Sequence, residues 1–323
     1  MRAVVVEEFG GPDVLRVREL PDPEPGPGEL LVDVDFAGVN FMDTGSRVGY
    51  GLPRGLPFVP GVEGAGRVAA VGPGVSGFAV GDRVAWVYVY GSYAEKIVVP
   101  ADQAVPVPDD LPSDVAAATM MQGLTAHHFV TESAPLAEGG TALVHAAAGG
   151  VGRMVVQLLK LRGVRVIGLV SREEKVTAAK AAGADEVLVS SGGDFTDRVA
   201  ELTDGQGVHA VFDGGGAGTF QPSLDALRRS GTLVYYGPLI GDVPTVRMTD
   251  LPKSVKVAYA VFADHIHTRE LLLKHTGDLF DLIREGSLRV DVTGRYPLAA
   301  AEQAHVDIES RRTSGKLLLD ARR

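Results

Sequence analysis

The run Ala146-Ala147-Ala148-Gly149-Gly150-Val151-Gly152 restricts the fold of this chain more than any other stretch. An apolar segment over 141–146 leads into it. Apolar residues at Val151, Met154, Val155, Leu158 and Leu159 follow at helical spacing. The order is strand, glycine turn, helix. Such a turn lets the backbone pass close to a pyrophosphate, and the helix start points unpaired N–H groups and a positive dipole end at it. Set against G-x-G-x-x-G, the three positions are Ala147, Gly149 and Gly152, with the first glycine replaced. Ala147, Gly149, Gly150, Val151 and Gly152 are therefore the candidate phosphate contacts.

Strands and helices continue to alternate behind the turn. Strands are expected at 142–146, 164–170, 186–189, 209–213 and 233–236, with 255–261 as a sixth. Helices are expected near 152–162, 173–182, 194–202 and 219–229, and Gly163 and Gly183 stand where helix C-caps belong. This predicts a parallel, doubly wound sheet of Rossmann type. Before residue 120 the pattern is different. Short β-like runs at 2–7, 30–37, 66–71, 83–89 and 94–98 alternate with Pro and Gly turns, as in an antiparallel barrel-like domain. The tail holds a helical pattern at 267–285, a short strand, a helix near 298–310 and a last strand at 316–319. The expected class is α/β. A β-barrel domain covers 1–123, a doubly wound domain covers 124–261, and a segment over 262–323 returns to the first.

The length of 323 residues accommodates both domains. A formal net charge of −10 argues against nucleic acid as a partner. The absence of cysteine excludes disulfides, thiolate-bound zinc and a cysteine nucleophile. The acidic start does not read as a signal peptide, and no run reaches the roughly 18 apolar residues of a membrane span. A cytoplasmic protein with no membrane partner is expected. The eight histidines show no metal site by spacing. His127-His128 and His265-x-His267 lack a third ligand, and His145 reads as a packed side chain, so no metal is expected. Trp86, Tyr88 and Tyr90 alternate as one face of a strand does.

The second strand of such a domain ends beside the adenosine ribose. Here it ends in Ser171-Arg172, with Lys175 one turn on. A hydroxyl and two cations suit a 2′-phosphate, which favours NADPH over NADH. Two later strand ends, at Gly214 and at Gly237-Pro238, should border the same crevice. Asp213 reads as a turn acid or helix cap. Asn40 reads either as a neutral donor and acceptor beside the reacting carbonyl or as the occupant of a left-handed turn. Thr125 reads as a hydroxyl near the nicotinamide or as a helix side chain bonded to its own backbone. Tyr50 reads equally as a pocket wall and as a surface aromatic.

Longer motifs add a resemblance over essentially the whole chain. They are Ala37-Gly38-Val39-Asn40 with Asp43, Gly61-Val62-Glu63-Gly64-Ala65-Gly66, Val80-Gly81-Asp82-Arg83-Val84, Gly91-Ser92-Tyr93-Ala94-Glu95 and Gln122-Gly123-Leu124-Thr125. The glycine turn with Gln157 and Lys160, and the run from Glu309 to Lys316, complete the set. The chain resembles the zinc-free, ζ-crystallin-like quinone oxidoreductases of the medium-chain dehydrogenase/reductase superfamily. The resemblance implies a GroES-like catalytic domain, a Rossmann domain, NADPH and a homodimer. It places Asn40, Tyr50 and Thr125 at the reacting end, and Asn40, Thr125, Ser190 and Lys316 among the cofactor contacts. Zinc-dependent relatives carry His where Val62 stands. Many quinone reductases carry a tyrosine at Gly45, for which Tyr50 is the stand-in, and Ser190 replaces a tyrosine that flanks the adenine phosphate. The implied activity is hydride transfer to quinones or related activated carbonyls. The alternatives are an enone reductase and a non-catalytic NADPH-binding protein.

Overall fold

Leu30, Val32 and Val34 are buried while the intervening Asp33 is exposed, the period of two that a strand with one covered face requires. The resulting strand is the longest of its sheet, at eleven residues. In chain order the first strands are β1 (Arg2–Val6), β2 (Leu15–Glu19), β3 (Glu29–Val39), β4 (Glu63–Val71), β5 (Arg83–Val87), β6 (Lys96–Pro100) and β7 (Val105–Pro106). Helix α1 (Phe41–Arg47) follows β3, and α2 (Ser113–His128) follows β7. Next come β8 (Thr141–Val144), α3 (Gly150–Leu161), β9 (Arg165–Val170), α4 (Val176–Ala181), β10 (Glu186–Val189), α5 (Thr196–Leu202), β11 (Val208–Asp213), α6 (Ala217–Ala226), β12 (Leu227–Tyr235) and β13 (Lys256–Tyr259). The chain closes with α7 (Arg269–Arg284), β14 (Val292–Pro297), α8 (Ala301–Glu309) and β15 (Lys316–Asp320). This computed structural model describes residues 1–50, 55–190, 192–237 and 244–323, so Pro238 lies outside the described residues.

The chain divides into two units, Met1–Gly123 with Ile266–Arg323, and Leu124–His265. In the first, a seven-stranded sheet runs β14-β15-β3-β4-β5-β7, with β6 also on β3, while β1 and β2 pair separately. All pairings are antiparallel except β14 with β15. The last strand therefore rejoins the first domain, with Leu319 opposite Ala37. Gly66 allows β4 to cross β3 closely, because a Cβ there would sit 2.1 Å from the Asp33 carbonyl oxygen. Leu30, Val32, Trp86, Tyr93, Val99 and Leu319 fill the core of this unit. Each fully covered side chain of that size contributes about 1.5–3 kcal/mol.

The second unit is a six-stranded sheet in the order β10-β9-β8-β11-β12-β13, parallel throughout. The chain moves outward from β8 one way through β9 and β10, then the other way through β11 to β13. The order reverses between β8 and β11, the switch point where doubly wound sheets bind ligands. Leu143, Ile167, Val211, Phe212 and Leu233 are fully buried in this sheet.

Three local expectations are corrected. The helix over 219–229 stops at Ala226, and β12 begins at once and runs nine residues. The alternation at 86–90 is not one strand face. β5 ends at Val87, Tyr88 adopts φ 61°, Trp86 is buried and Tyr90 is exposed. The strand over 255–261 narrows to Lys256–Tyr259. Helix α2 had no amphipathic signal, because Ala116, Ala117, Ala118, Met120 and Leu124 are all fully buried. A helix covered all round loses its period.

Candidate functional site

The turn before α3 is built from backbone. Ala146, not a glycine, takes the left-handed conformation, at φ 47°. Its carbonyl accepts from Gly149 N at 2.7 Å, and Ala147 N donates to Leu169 O on β9 at 3.0 Å. A Cβ at Gly152 would lie 2.2 Å from the Ala146 oxygen, so only glycine lets the helix start come this close to the strand end. The bond from Arg153 N to Gly149 O, 2.9 Å, opens the helical ladder. The N–H groups of Gly150, Val151 and Gly152 precede it. They form the first turn of a twelve-residue helix, where N–H groups have no partner within the helix.

Because the sheet is parallel, the other carboxyl strand ends lie on the same edge as this turn. Ser171 and Arg172 follow β9 and are exposed, and Lys175 is half-buried. Ser190 follows β10, and its hydroxyl donates to Gly192 O at 2.9 Å and to Asp194. Gly214 follows β11 and Gly237 follows β12, and a Cβ on Gly237 would come within 3.0 Å of Gly214 O. Asp213 is occupied structurally. It accepts from Gly215 N at 2.7 Å, from Thr219 Oγ1 at 2.9 Å and from Ser223 Oγ at 2.7 Å. His145 is buried against it, with Nε2 3.1 Å from Ser223 Oγ, and burial lowers the His145 pKa.

The first unit holds a second constellation, at the junction of β3 and α1. Asn40 has φ −129°, so the left-handed-turn reading is overturned. Its backbone is extended, and its N–H donates to Asp43 Oδ2 at 2.8 Å. The side-chain amide is gripped at both ends. Nδ2 donates to Glu63 Oε1 at 2.7 Å, and Oδ1 accepts from Lys316 Nζ at 2.7 Å. Lys316 also donates to Glu63 Oε1, closing a three-residue ring. Glu63 Oε2 accepts from Met121 N at 2.6 Å. Glu63 and Lys316 are 0% and 1% exposed, so this is a fully desolvated ion pair. The fold thus places Lys316 beside Asn40. Tyr50 follows α1 and is 58% exposed, and Thr125 is half-buried on α2.

A chain of hydrogen bonds runs into this ring from behind. Arg47, which can only donate, points Nη1 at His305 Nδ1 across 3.1 Å. Burial, reinforced by the Arg47 charge, lowers His305 to about 3, so the ring is neutral. Its Nε2–H then donates to Tyr93 Oη at 3.1 Å, and the Tyr93 hydroxyl donates to Asp43 Oδ2 at 3.1 Å. Burial keeps Tyr93 protonated. Asp43 itself is pushed up to about 7 by burial, against the pull of Asn40 N–H and Lys316. Its Oδ1 is buried without a hydrogen-bond partner. Sequence reasoning missed Glu63, Asp43, Tyr93 and His305 as one cluster. They lie on separate elements, and only the shared motifs hinted at them.

Comparison with known proteins agrees with both halves. Residues 26–109 match the alcohol dehydrogenase GroES-like domain, and residues 150–275 match the zinc-binding dehydrogenase family. A quinone oxidoreductase of Pseudomonas aeruginosa is 40% identical over 314 residues, 96% of this chain and 97% of the relative. A 2-haloacrylate reductase of Burkholderia is 34% identical over 326 residues, 98% of each chain. The solved structure of Escherichia coli quinone oxidoreductase complexed with NADPH superposes with a TM-score of 0.95 at 35% identity, covering 99% of this chain and 100% of that one. The chain belongs to the quinone oxidoreductase branch of the medium-chain dehydrogenase/reductase superfamily. No helix among the described residues is long and apolar enough to cross a membrane.

The state of Asp43 has a measurable consequence. Its carboxyl titrates near 3.8 when unfolded and near 7 when folded, so the folded chain binds the proton more tightly in between. The stability it contributes is full below the unfolded value and is lost as pH rises through about 7, at up to about 1.4 kcal/mol per pH unit. Denaturant titrations at about pH 5 and about pH 7.5 should show this fall in the parent protein, and Asp43→Asn should flatten it. An equal fall in both proteins would contradict the assignment.

Proposed function

We propose that this chain is an NADPH-dependent, zinc-independent reductase of quinones or related activated carbonyl compounds. One observation carries the reading. A tight backbone turn with open N–H groups and the trio Ser171, Arg172 and Lys175 share one edge of a parallel sheet. The turn fits a pyrophosphate, because Gly150, Val151 and Gly152 can donate to it without a side chain in the way. Arg172 and Lys175 supply charge for a 2′-phosphate, and Ser171 supplies a hydroxyl. Gly214 and Gly237 keep two further strand ends bare, and Ser190 borders the adenosine side.

When bound, NADPH supplies a hydride to an electron-poor acceptor. The chain's own residues bind and orient. Glu63 accepts one of the two Nδ2 hydrogens of Asn40, which leaves the second for an acceptor oxygen. Lys316 fixes the amide the right way round, because its ammonium can bond only to the Oδ1 end. Lys316 thus acts through Asn40, as a positioning residue. The Thr125 hydroxyl orients the nicotinamide end, and Tyr50 offers an apolar wall. Val62 at the zinc-ligand position, the absence of cysteine and the neutralisation of Glu63 by Lys316 support chemistry without zinc. The haloacrylate reductase relative favours a second reading, reduction of an activated carbon–carbon double bond, which uses the same residues.

A screen of NADPH oxidation by quinones, enones and 2-enals in EDTA-treated protein separates the two. Quinone turnover that survives EDTA is the expected result, and turnover of enals or enones alone would favour the second reading. Inertness toward every acceptor would overturn both. The paired change Arg172→Ala with Lys175→Ala should weaken NADPH by roughly 1–2 kcal/mol and leave NADH nearly unchanged. Equal losses for the two cofactors would remove the phosphate assignment.

We also infer a homodimer through β13. This strand ends the six-stranded sheet, and Val257 and Tyr259 on it are 41% and 68% exposed. Lys253 does not guard that edge, because its ammonium donates to Asp225 O and Leu227 O in its own chain. Lys256 stands exposed on the strand as the alternative edge guard, but an edge that also exposes Val257 and Tyr259 invites pairing with a second copy. Ala258→Pro should weaken association in sedimentation runs. A parent protein that stays monomeric at micromolar concentration would exclude this interface.

A further inference from the structure

The spacing of the histidines shows no third ligand, but the fold of the second unit provides one. Where α2 ends, the helix widens into a π-turn, Phe129–Ser133. This turn directs Glu132 toward His128, with 3.4 Å from His128 Nδ1 to Glu132 Oε2. His265, from the far end of the same unit, brings its Nδ1 to 3.0 Å from Glu132 Oε1. The three donor atoms lie within 4.8 Å of one another. A tetrahedral ion with bonds of about 2.0–2.1 Å holds its ligand atoms about 3.3 Å apart, so shifts of about an ångström would complete the set.

The opposite ring nitrogens are supported in the way that metal-binding histidines need. His265 Nε2 lies 2.9 Å from His127 Nδ1, and His128 Nε2 lies 3.3 Å from Ser133 Oγ. With an ion bound, each Nε2–H would donate to these partners, and the Nδ1 lone pairs that now face Glu132 as N–H groups would be freed for the ion. Such outer partners fix the tautomer and ring orientation of a ligating imidazole. His128 Nδ1 is buried and makes no hydrogen bond. Glu132 is 54% exposed on its side chain, which leaves a path from solvent.

We propose that His128, Glu132 and His265 form a binding site for a borderline divalent transition ion of the zinc type, with water completing the coordination. Two imidazoles and one carboxylate suit such ions and do not suit magnesium or calcium. The site would tie the π-turn after α2 to His265 and act as a structural clasp. It is separate from the zinc-ligand position at Val62 and goes beyond the reductase reading.

The test is zinc titration of the full-length, EDTA-stripped and dialysed protein by calorimetry, with thermal denaturation alongside. One equivalent should bind at micromolar affinity and raise the melting temperature by several degrees. Glu132→Gln should weaken binding at least tenfold, His128→Ala should abolish it, and His267→Asn should leave it unchanged. If His128→Ala does not fold, the exposed Glu132→Gln decides alone. No stoichiometric binding, or binding equally strong in Glu132→Gln, would overturn the site. Metal affinity is read without cofactor or acceptor, so failure here and failure of the reductase reading remain distinguishable.

Discussion

The buried contact between Lys316 and Glu63 is the constraint on which the first unit depends. Both groups are essentially out of water, and desolvating an isolated charge costs several kcal/mol. The pair is tolerable only because each charge finds further partners. Lys316 also bonds Asn40 Oδ1, and Glu63 also accepts from Asn40 Nδ2 and from Met121 N. Such a pair adds little net stability over an apolar replacement, yet losing one partner alone costs about 3–5 kcal/mol. Its value is therefore geometric. It forces β15 to lie beside β3 with Lys316 at the end of the ladder, where the strand register puts Leu317 opposite Val39. It also leaves the Asn40 amide a single orientation.

The second unit reaches its precision by a different route. Six parallel strands carry all their carboxyl ends to one edge, and each end contributes a turn. Asp213 shows how such turns are held. One carboxylate collects a turn N–H and two hydroxyls from α6, and the neutral His145 sits behind it. The rigid interior does the holding, so the ligand-facing groups can be backbone and small residues. That division explains why Ala146 tolerates a left-handed backbone. A single alanine in that region costs about 1 kcal/mol, which the bonds from Gly149 N to Ala146 O within the turn and from Ala147 N to Leu169 O on β9 offset.

Local chemistry made much of this legible, and long-range chemistry did not. The strand over 186–189 and the helix expected near 152–162, which begins at Gly150, could be read because period and turn residues report on neighbours in sequence. The helix predicted to run to 229 failed because Leu227 belongs to a strand whose pairing with Val208 is a tertiary choice. Asn40 was singled out only through the shared motif, since its partners stand 23 and 276 positions away. His127 and His265 are 138 positions apart, so spacing alone could not bring them together. Tyr88 misled because side-chain alternation says nothing about a backbone that turns left-handed at φ 61°.

The directed chain behind Asn40 shows why its members are chemically unlike one another. Arg47 is a permanent donor and Asp43 Oδ2 a permanent acceptor while ionised, and between them stand two groups that can each do both. A neutral His305 and a neutral Tyr93 pass the polarity along in one sense only, from Arg47 toward Asp43. A charged imidazole would present two donors, one of them against the guanidinium, and that repulsion together with burial holds His305 far below its usual range. Tyr93 must remain a phenol for the same reason, since a phenolate beside Asp43 would place two anions within 3.1 Å. The one soft member is Asp43, whose ionisation falls near neutrality. A proton arriving at its unpaired Oδ1 would leave the Oδ2 bonds to Asn40 N and Tyr93 in place. The ring around Asn40 would then keep its geometry while the charge beside it changed by one. The Asn40 amide thus keeps one orientation under either charge state of Asp43.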